Sequence, residues 1–297
     1  MAYLFWTIAL LLFSSLEVVS KPIMGEVDPF TMTFMRFFIG GLFLFFISVL
    51  VSRLSYKKAL KNLVKGEKIT SPRYQKIIRA DFLKIVFIGS LNTIFSMTML
   101  QLSVKYGNAS SAATLISTSP LFTALFAYLI ISEKVSKRKK FGIVLGLVGI
   151  IIFGFGMLEG DTLAGILFGI IAAVTFGMYS VLLRIHIARY GPLRCTAYST
   201  LIPSLIYGFF LIITGQFTIP ALDAQGWVIV FYLGICVTGI AYYALLEAVN
   251  RMGATIAMRL FYVKPVVATA FALSFLSEPV GPIKIIGMGI IIFSLFL

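Results

Sequence analysis

The sequence predicts an all-α polytopic membrane protein in which ten transmembrane helices form two inverted repeats of five helices. The first observation behind this prediction is composition, since 60% of the 297 residues are hydrophobic, 12% are charged and the mean hydropathy is +1.02. A soluble core of this length requires far less apolar sequence. The second observation is a series of long apolar segments, and the third is an internal duplication.

Apolar runs of about 17 to 25 residues are long enough for a helix to cross a hydrocarbon layer about 30 Å thick. These runs are too long for barrel strands and show no strict alternation, so helices are expected. Ten such runs, called segments one to ten below, lie at residues 3–22, 29–52, 82–104, 108–132, 140–158, 163–185, 193–215, 226–249, 254–277 and 281–297.

The second half of the chain repeats the first. A shift of 145 residues places Glu133 on Glu278, and nearer the N-terminus a shift of 163 residues places Pro29 on Pro192. The polar stretch 53–81 absorbs the difference between the two shifts. Because each repeat has an odd number of segments, the second must enter the bilayer from the opposite side, which is the arrangement of many transporters.

This duplication divides the chain into residues 1–158, with the basic loop 53–81, and residues 159–297. The net charge is +14, and Lys and Arg in short loops stay on the cytoplasmic side. With both termini cytoplasmic, the outer loops keep only Lys21, Lys105 and Lys284. We therefore predict a multi-pass protein of the plasma (inner) membrane, either a monomer or a weak homodimer.

The basic loop 53–81 is interpreted as a topology determinant that contacts anionic lipid of the bilayer. Its charges are accompanied by only two aromatic residues, Tyr56 and Tyr74, which do not form the series of stacking rings that a single-stranded nucleic-acid surface requires, so no nucleic-acid partner is expected. The chain has a single histidine, His186, and no catalytic, metal-binding or phosphate-binding motif. We predict no enzyme activity, no metal and no cofactor, and the only candidate catalytic neighbourhood, around Glu17 and Lys264, is better explained by transport.

Several short motifs, in order along the whole chain, resemble the drug/metabolite transporter superfamily, specifically its ten-helix EamA-type members. They are Phe13 to Lys21, Asp28-Pro29, Met35-Arg36-Phe37, Ser132-Glu133, Gly239 to Tyr243 and Ser277-Glu278-Pro279. The resemblance implies a central cavity lined by segments one, three, four, six, eight and nine, with segments five and ten packed behind. Glycines in segments five and ten are spaced for close helix contact.

Polar side chains concentrate in the segments that the resemblance assigns to the cavity. Lys264 is expected to hold a carboxylate of the substrate, Glu17 an ammonium group, and the tyrosines an apolar side chain. Lys264 has the alternative of bonding to Glu17 itself. The predicted substrate-binding residues are Ser14, Glu17, Asn92, Ser119, Tyr179, Tyr242, Tyr262 and Lys264.

Charged side chains within apolar segments cost about 2.5 to 3.5 kcal/mol each unless they are paired or hydrated. Arg259 is expected to pair with Glu247 as an inner gate. Glu17 is expected to choose between Arg36 and Lys264, and Gln101 of segment three completes this gating set. Alternatively, Arg36, Arg259 and Glu247 extend to the membrane interfaces or join helices structurally.

Two prolines occupy positions that the duplication equates, Pro120 in segment four and Pro265 in segment nine. Each is predicted to kink its helix near the bilayer midplane, either as a hinge for gating or as a static bend. Glu133 and Glu278 end the same two segments, where they either cap helices and contact loops or pair across a gate.

The function predicted from these features is secondary transport of a small amphipathic metabolite, an amino acid or related compound, by alternating access and in the direction of export. The alternatives are a membrane channel or sensor, or a carrier for drugs, cations or nucleotide-type metabolites. A channel requires a continuous polar ring rather than a cavity closed by Phe, Tyr and Met.

Overall fold

The computed structural model describes residues 1–64, 77–132, 137–156, 160–252, 257, 260–278 and 280–297. Within these ranges the chain is helical and contains no strand. Its α-helices are Ala2–Ser20, Pro29–Val64, Arg79–Ser90, Met97–Tyr106, Ala109–Ile116, Ser119–Ile131, Lys137–Phe155, Leu163–Tyr190, Pro192–Ile213, Ala224–Phe231, Ala241–Met252, Leu260–Phe271 and Pro282–Leu295.

These helices match the ten predicted segments in order and confirm an all-α polytopic membrane protein. Seven segments are long and apolar enough to cross a bilayer. Segments five, nine and ten are shorter apolar helices, at Lys140–Phe155, Leu260–Leu276 and Pro282–Leu295. By length, therefore, seven of the ten predicted crossings are met among the described residues.

Three of the segments contain wide π-helical turns. They occupy Leu91–Ser96 in segment three, Tyr232–Ile240 in segment eight and Ala272–Leu276 in segment nine. A π-helical turn shifts the register of the side chains that follow it, and such turns are frequent at functional sites. All three lie in segments that the resemblance assigned to the cavity.

The two equivalent prolines have different surroundings. Segment four is interrupted at Ser117 and Thr118, and a new helix starts with Pro120 in its first turn, where a missing N–H costs nothing. Pro265, by contrast, lies inside the helix Leu260–Phe271, which runs through it without interruption. Segment nine changes its helical geometry only at Ala272, and the predicted kinks at the two prolines stay predictions.

Segments five and ten pack directly against each other. A Cβ atom on Gly287 would lie 2.6 Å from the backbone nitrogen of Phe153, and one on Gly149 would lie 3.0 Å from Ile291. Only glycine permits this approach, so these residues are packing positions.

Segments four and nine end alike. Ser132 and Ser277, which the shift of 145 residues equates, both have φ of 51° and close their helices in the left-handed conformation. The division of the chain into two inverted halves stays a prediction.

Candidate functional site

Glu17 and Lys264 form an ion pair in the middle of the bundle. Lys264 Nζ lies 2.7 Å from Glu17 Oε1, and the two residues are 3% and 0% exposed. Glu17 projects from segment one and Lys264 from segment nine, so the bond joins the first half of the chain to the second. Of the two partners considered for Glu17, the structure places Lys264 in contact. The second oxygen, Oε2, has no hydrogen-bond partner among the described residues.

Arg36 of segment two lies beside this pair and is only 2% exposed. It is close enough to Glu17 and Tyr242 for both to act on its charge. Its Nη2 donates to the sulfur of Met97 at 3.4 Å, and its guanidinium carbon sits 4.7 Å from the ring centre of Phe37. Nε and Nη1 have no acceptor within the part of the chain that the structure describes.

Further buried polar groups that lack partners in the described chain lie in segments one and three. Gln101 lies one helical turn beyond Met97, and both of its side-chain heteroatoms lack partners among the described residues. Asn92 Oδ1 and Ser14 Oγ are likewise buried without a bond there. We call Ser14, Glu17, Arg36, Asn92, Gln101, Tyr242 and Lys264 the central polar cluster.

Unsatisfied polar groups at this density are unusual, because native proteins pair almost all of their buried donors and acceptors. Each one that is left unpaired costs about 1 to 3 kcal/mol. Arrangements of this kind are found where a bound solute or water completes the bonds. The central polar cluster is therefore a candidate binding site for a polar solute.

Aromatic rings cover one side of the cluster. Tyr242 packs edge-on against Phe13, with ring centres 5.2 Å apart, and lies near Asn92. Tyr179 is close to Tyr242, and its hydroxyl is 3.3 Å from Ser199 Oγ. These rings could contact an apolar part of a bound molecule.

Two other predicted binding residues are placed differently. Tyr262 packs against Phe296 of segment ten, with ring centres 5.1 Å apart. Ser119 is buried at the start of the helix Ser119–Ile131, beside Pro120.

The predicted inner gate has only one member in the described ranges. Glu247 Oε2 accepts a hydrogen bond from Arg251 Nε at 3.0 Å, four residues along the same helix, and both side chains are partly exposed. Such exposed pairs contribute only about 0.3 to 0.5 kcal/mol. Arg259, the expected partner, lies outside the described residues, as does Glu133.

A second buried ion pair lies at the end of the bundle where segments four and ten begin, which we call the distal end. Lys284 Nζ contacts Asp161 Oδ2, and neither side chain is more than 2% exposed. Lys284 Nζ also donates to Ser111 Oγ at 2.8 Å, while Asp161 Oδ1 accepts from the backbone N–H of Asn108 at 3.0 Å.

The expectation that Lys284 is an outer-loop residue is wrong. It lies in the helix Pro282–Leu295, and its charge is balanced by an acidic residue that sequence reasoning did not single out. The available signal was a lysine placed directly in an apolar helix, a position that normally requires a partner. Burial opposes ionisation of Asp161, but the bonds from Lys284 and Asn108 prevail and lower the pKa of its carboxyl.

Glu278 closes the same end. Its Oε1 accepts the backbone N–H of Ala109 at 2.7 Å, and its Oε2 accepts the backbone N–H and the hydroxyl of Ser110 at 3.0 and 2.9 Å. Of the roles considered for Glu278, the structure places it as the cap of the helix Ala109–Ile116. Lys21 adds bonds to the carbonyl oxygens of Val104 and Gly107, which end segment three.

One wide groove of the described surface does not contain the central polar cluster. It encloses about 490 Å³ between segments one, eight and nine and is lined almost entirely by apolar side chains, among them Leu11, Val19, Phe271 and Phe275. One hydroxyl pair, Ser15 to Tyr232 at 2.8 Å, lies along it. Apart from the partly exposed Tyr242, the residues of the central polar cluster are buried in this conformation.

Comparison with known proteins identifies the family of this fold and site. The EamA-like transporter family matches residues 1–155 and, a second time, residues 163–297. The chain belongs to the EamA-like transporter family. As the motifs indicated, this family lies within the drug/metabolite transporter superfamily.

Relatives of this EamA-like protein have transporter names. A Clostridium kluyveri protein named an uncharacterized transporter is 29% identical, over 98% of this chain and 90% of the relative. The uncharacterized inner membrane transporter YedA of Escherichia coli K12 is 25% identical, over 79% of this chain and 74% of YedA. A crystal structure at 20% identity shares the fold, with a TM-score of 0.66 over 99% of this chain and 94% of the other. The chain is therefore a multi-pass membrane transporter by family.

Proposed function

We propose that this EamA-like transporter is a secondary carrier that exports a small amphipathic metabolite, an amino acid or a related zwitterion, across the plasma membrane by alternating access. The observation that carries the proposal is the Glu17–Lys264 pair with the unsatisfied groups around it. Opposite charges, amide groups and aromatic rings in one buried cluster match a molecule that has both charged ends and an apolar part.

The position of the pair also favours a carrier. It joins two segments from different halves of the chain, so a rearrangement of one half against the other has to move or break it. The distal end is closed by the contacts of Glu278, Lys284 and Lys21, and the central polar cluster is buried. A channel, the runner-up, needs a continuous wetted path past these groups.

Sidedness follows from the distribution of basic residues. We place the N- and C-termini in the cytoplasm and the distal end on the opposite face, since the stretch 53–81 is rich in Lys and Arg. On this assignment, the described conformation is closed towards the outside.

Counterflow in proteoliposomes tests the proposal. Vesicles loaded with unlabelled amino acid should accumulate the radiolabelled form, with saturation, when they contain the wild-type protein. Lys264→Ala should abolish this exchange, whereas Lys105→Ala, at an exposed position, should leave it unchanged. Wild-type rates in Lys264→Ala would remove the pair from the transport site, and non-saturating flux would indicate a channel.

The same assay addresses the energy source. The informative variable is the presence or absence of a pH gradient across the vesicle membrane. A gradient that drives net accumulation indicates proton coupling. A counterflow rate that is the same with and without the pH gradient indicates a uniporter or exchanger.

A further inference from the structure

The central polar cluster contains three charged side chains and an excess of one positive charge. Glu17 and Lys264 neutralise each other at 2.7 Å. Arg36 has no ion-pair partner among the described residues, and the one carboxylate near it, Glu17, already bonds to Lys264. A buried charge without a partner is costly. The fold therefore buries a positive charge here without supplying an anion from the described residues to neutralise it.

The weak contacts of Arg36 hold its guanidinium in place without satisfying it. A thioether sulfur and the ring of Phe37 are both poor substitutes for an anion, yet together they fix the direction of the group. Nε and Nη1 are left as donors to groups outside the described chain. Guanidinium nitrogens in this condition are suited to a carboxylate, which accepts two or more charge-assisted bonds.

The internal duplication indicates that the charges of Glu17, Arg36 and Lys264 are not required for the five-helix unit to fold. The shift of 163 residues places Arg36 on Ser199, and there the position is filled by a small hydroxyl that bonds within its own helix and to Tyr179. The same shift places Glu17 on Ser180, and the shift of 145 residues places Lys264 on Ser119. A unit that folds around serine in one copy carries charge in the other for another purpose.

We infer that Arg36, rather than Lys264, is the receptor for a carboxylate of the transported solute, and that this solute must therefore carry a carboxylate. The inference rests on the proposed transport function and specifies the chemistry of its site. Lys264 is already engaged by Glu17, so the carboxylate of the solute falls to Arg36. The free acceptors Glu17 Oε2 and Asn92 Oδ1 are then available to an ammonium group on the same solute.

A matched set of small molecules separates the roles of the two charges. L-Phenylalanine carries both groups, 3-phenylpropionate carries only the carboxylate, and phenethylamine and L-phenylalaninamide carry an ammonium without a carboxylate. L-Leucine, 4-methylpentanoate and isoamylamine repeat the comparison with an aliphatic side chain. The readouts are the thermal stability of purified protein in detergent and inhibition of counterflow.

The variants are Arg36→Gln, which removes the charge, Arg36→Lys, which keeps it, and Lys105→Gln as a surface control. Wild type should be stabilised by a zwitterion or carboxylate and not by its matched amine or amide. Arg36→Gln should weaken this response at least about tenfold in half-saturating concentration, and Arg36→Lys should retain part of it.

The melting temperature of the ligand-free protein is a second measurement. A structural role for Arg36 and a binding role predict opposite results for it. Since Arg36→Gln removes an unpaired buried charge, the ligand-free variant should melt no lower than wild type. A clearly lower melting temperature would overturn the inference in favour of a structural arginine.

Other outcomes also decide. Stabilisation by amines alone, or by no carboxylate of the set, would overturn the inference while saturable counterflow would still support a transporter. Carboxylate binding that depends on Arg36, without counterflow, would retain the inference and remove the proposed transport function.

Discussion

The two buried lysine–carboxylate pairs of this transporter differ in how completely they are satisfied. In the distal pair, each oxygen of Asp161 has a donor, and Lys284 has a second acceptor in Ser111. In the central pair, one oxygen of Glu17 is unpartnered among the described residues and an unneutralised Arg36 lies nearby.

This difference indicates that the distal pair stabilises the fold, whereas the central pair belongs to a binding site. A buried ion pair stabilises a fold only where additional hydrogen bonds compensate the loss of water around both charges. The distal pair meets that condition and lies among helix ends that it ties together. The central pair does not meet it, so its surroundings are arranged for a group that the protein alone does not supply.

Removing Lys284 should have the largest effect on stability. Lys284→Met leaves the Asp161 carboxylate buried and uncompensated, and the free energy of unfolding should fall by about 3 to 5 kcal/mol. Reversible unfolding in mixed micelles measures this loss, with Lys105→Met as the exposed control. A loss below about 1 kcal/mol would contradict a fastening role for the distal pair.

Glu278→Gln should be the next largest change. Glutamine keeps the shape of the side chain, but only one of its two terminal atoms accepts a hydrogen bond, so a donor of Ala109 or Ser110 is left facing an amide NH2. Loss of a bond to a charged group should cost about 1.5 to 3 kcal/mol in the same unfolding assay. An unchanged free energy of unfolding would show that capping by Glu278 is dispensable.

Neutralising both members of each pair sharpens the comparison. Glu17→Gln combined with Lys264→Met should cost no more than about 1 kcal/mol of stability, because the double change also removes two desolvated charges. Counterflow should nevertheless disappear. Asp161→Asn with Lys284→Met should cost more, since the bonded neighbours of the distal pair lose their partners. Equal stability losses in the two double variants would erase the distinction drawn here.

The smallest effect should be the pH dependence of the distal pair. The folded pKa of Asp161 lies below its ordinary value of 3.8, so its stabilising contribution is complete above that pH and declines as acid approaches the lowered pKa. The stability difference between wild type and Asp161→Asn should be constant from about pH 7 to pH 5 and shrink below about pH 4. Melting curves across this range provide the measurement, and a difference that already shrinks near pH 6 would contradict it.

The comparison also shows which predictions a sequence supports. The apolar lengths located all ten segments, and the cost of intramembrane charge distinguished Glu17, Arg36 and Lys264 from the sequence alone. Glu247 was assigned to Arg259 of segment nine, which lies outside the described residues, and in the described part of the chain Arg251, four positions away, bonds to it. Asp161 was missed because a loop carboxylate carries no signal of burial until the chain folds over it.

Hydrophobic length and charge cost are local properties, so the sequence by itself determined the membrane location, the helical class, the order of segments and the charges Glu17, Arg36 and Lys264 within them. Which charges meet is a property of three dimensions. Helix rotation, π-helical register shifts and the approach of helix ends decided that Lys264 bonds to Glu17, that Lys284 bonds to Asp161, and that Arg36 is left over. Each of these outcomes depends on distances of a few ångströms between residues far apart in the chain, which no local pattern encodes.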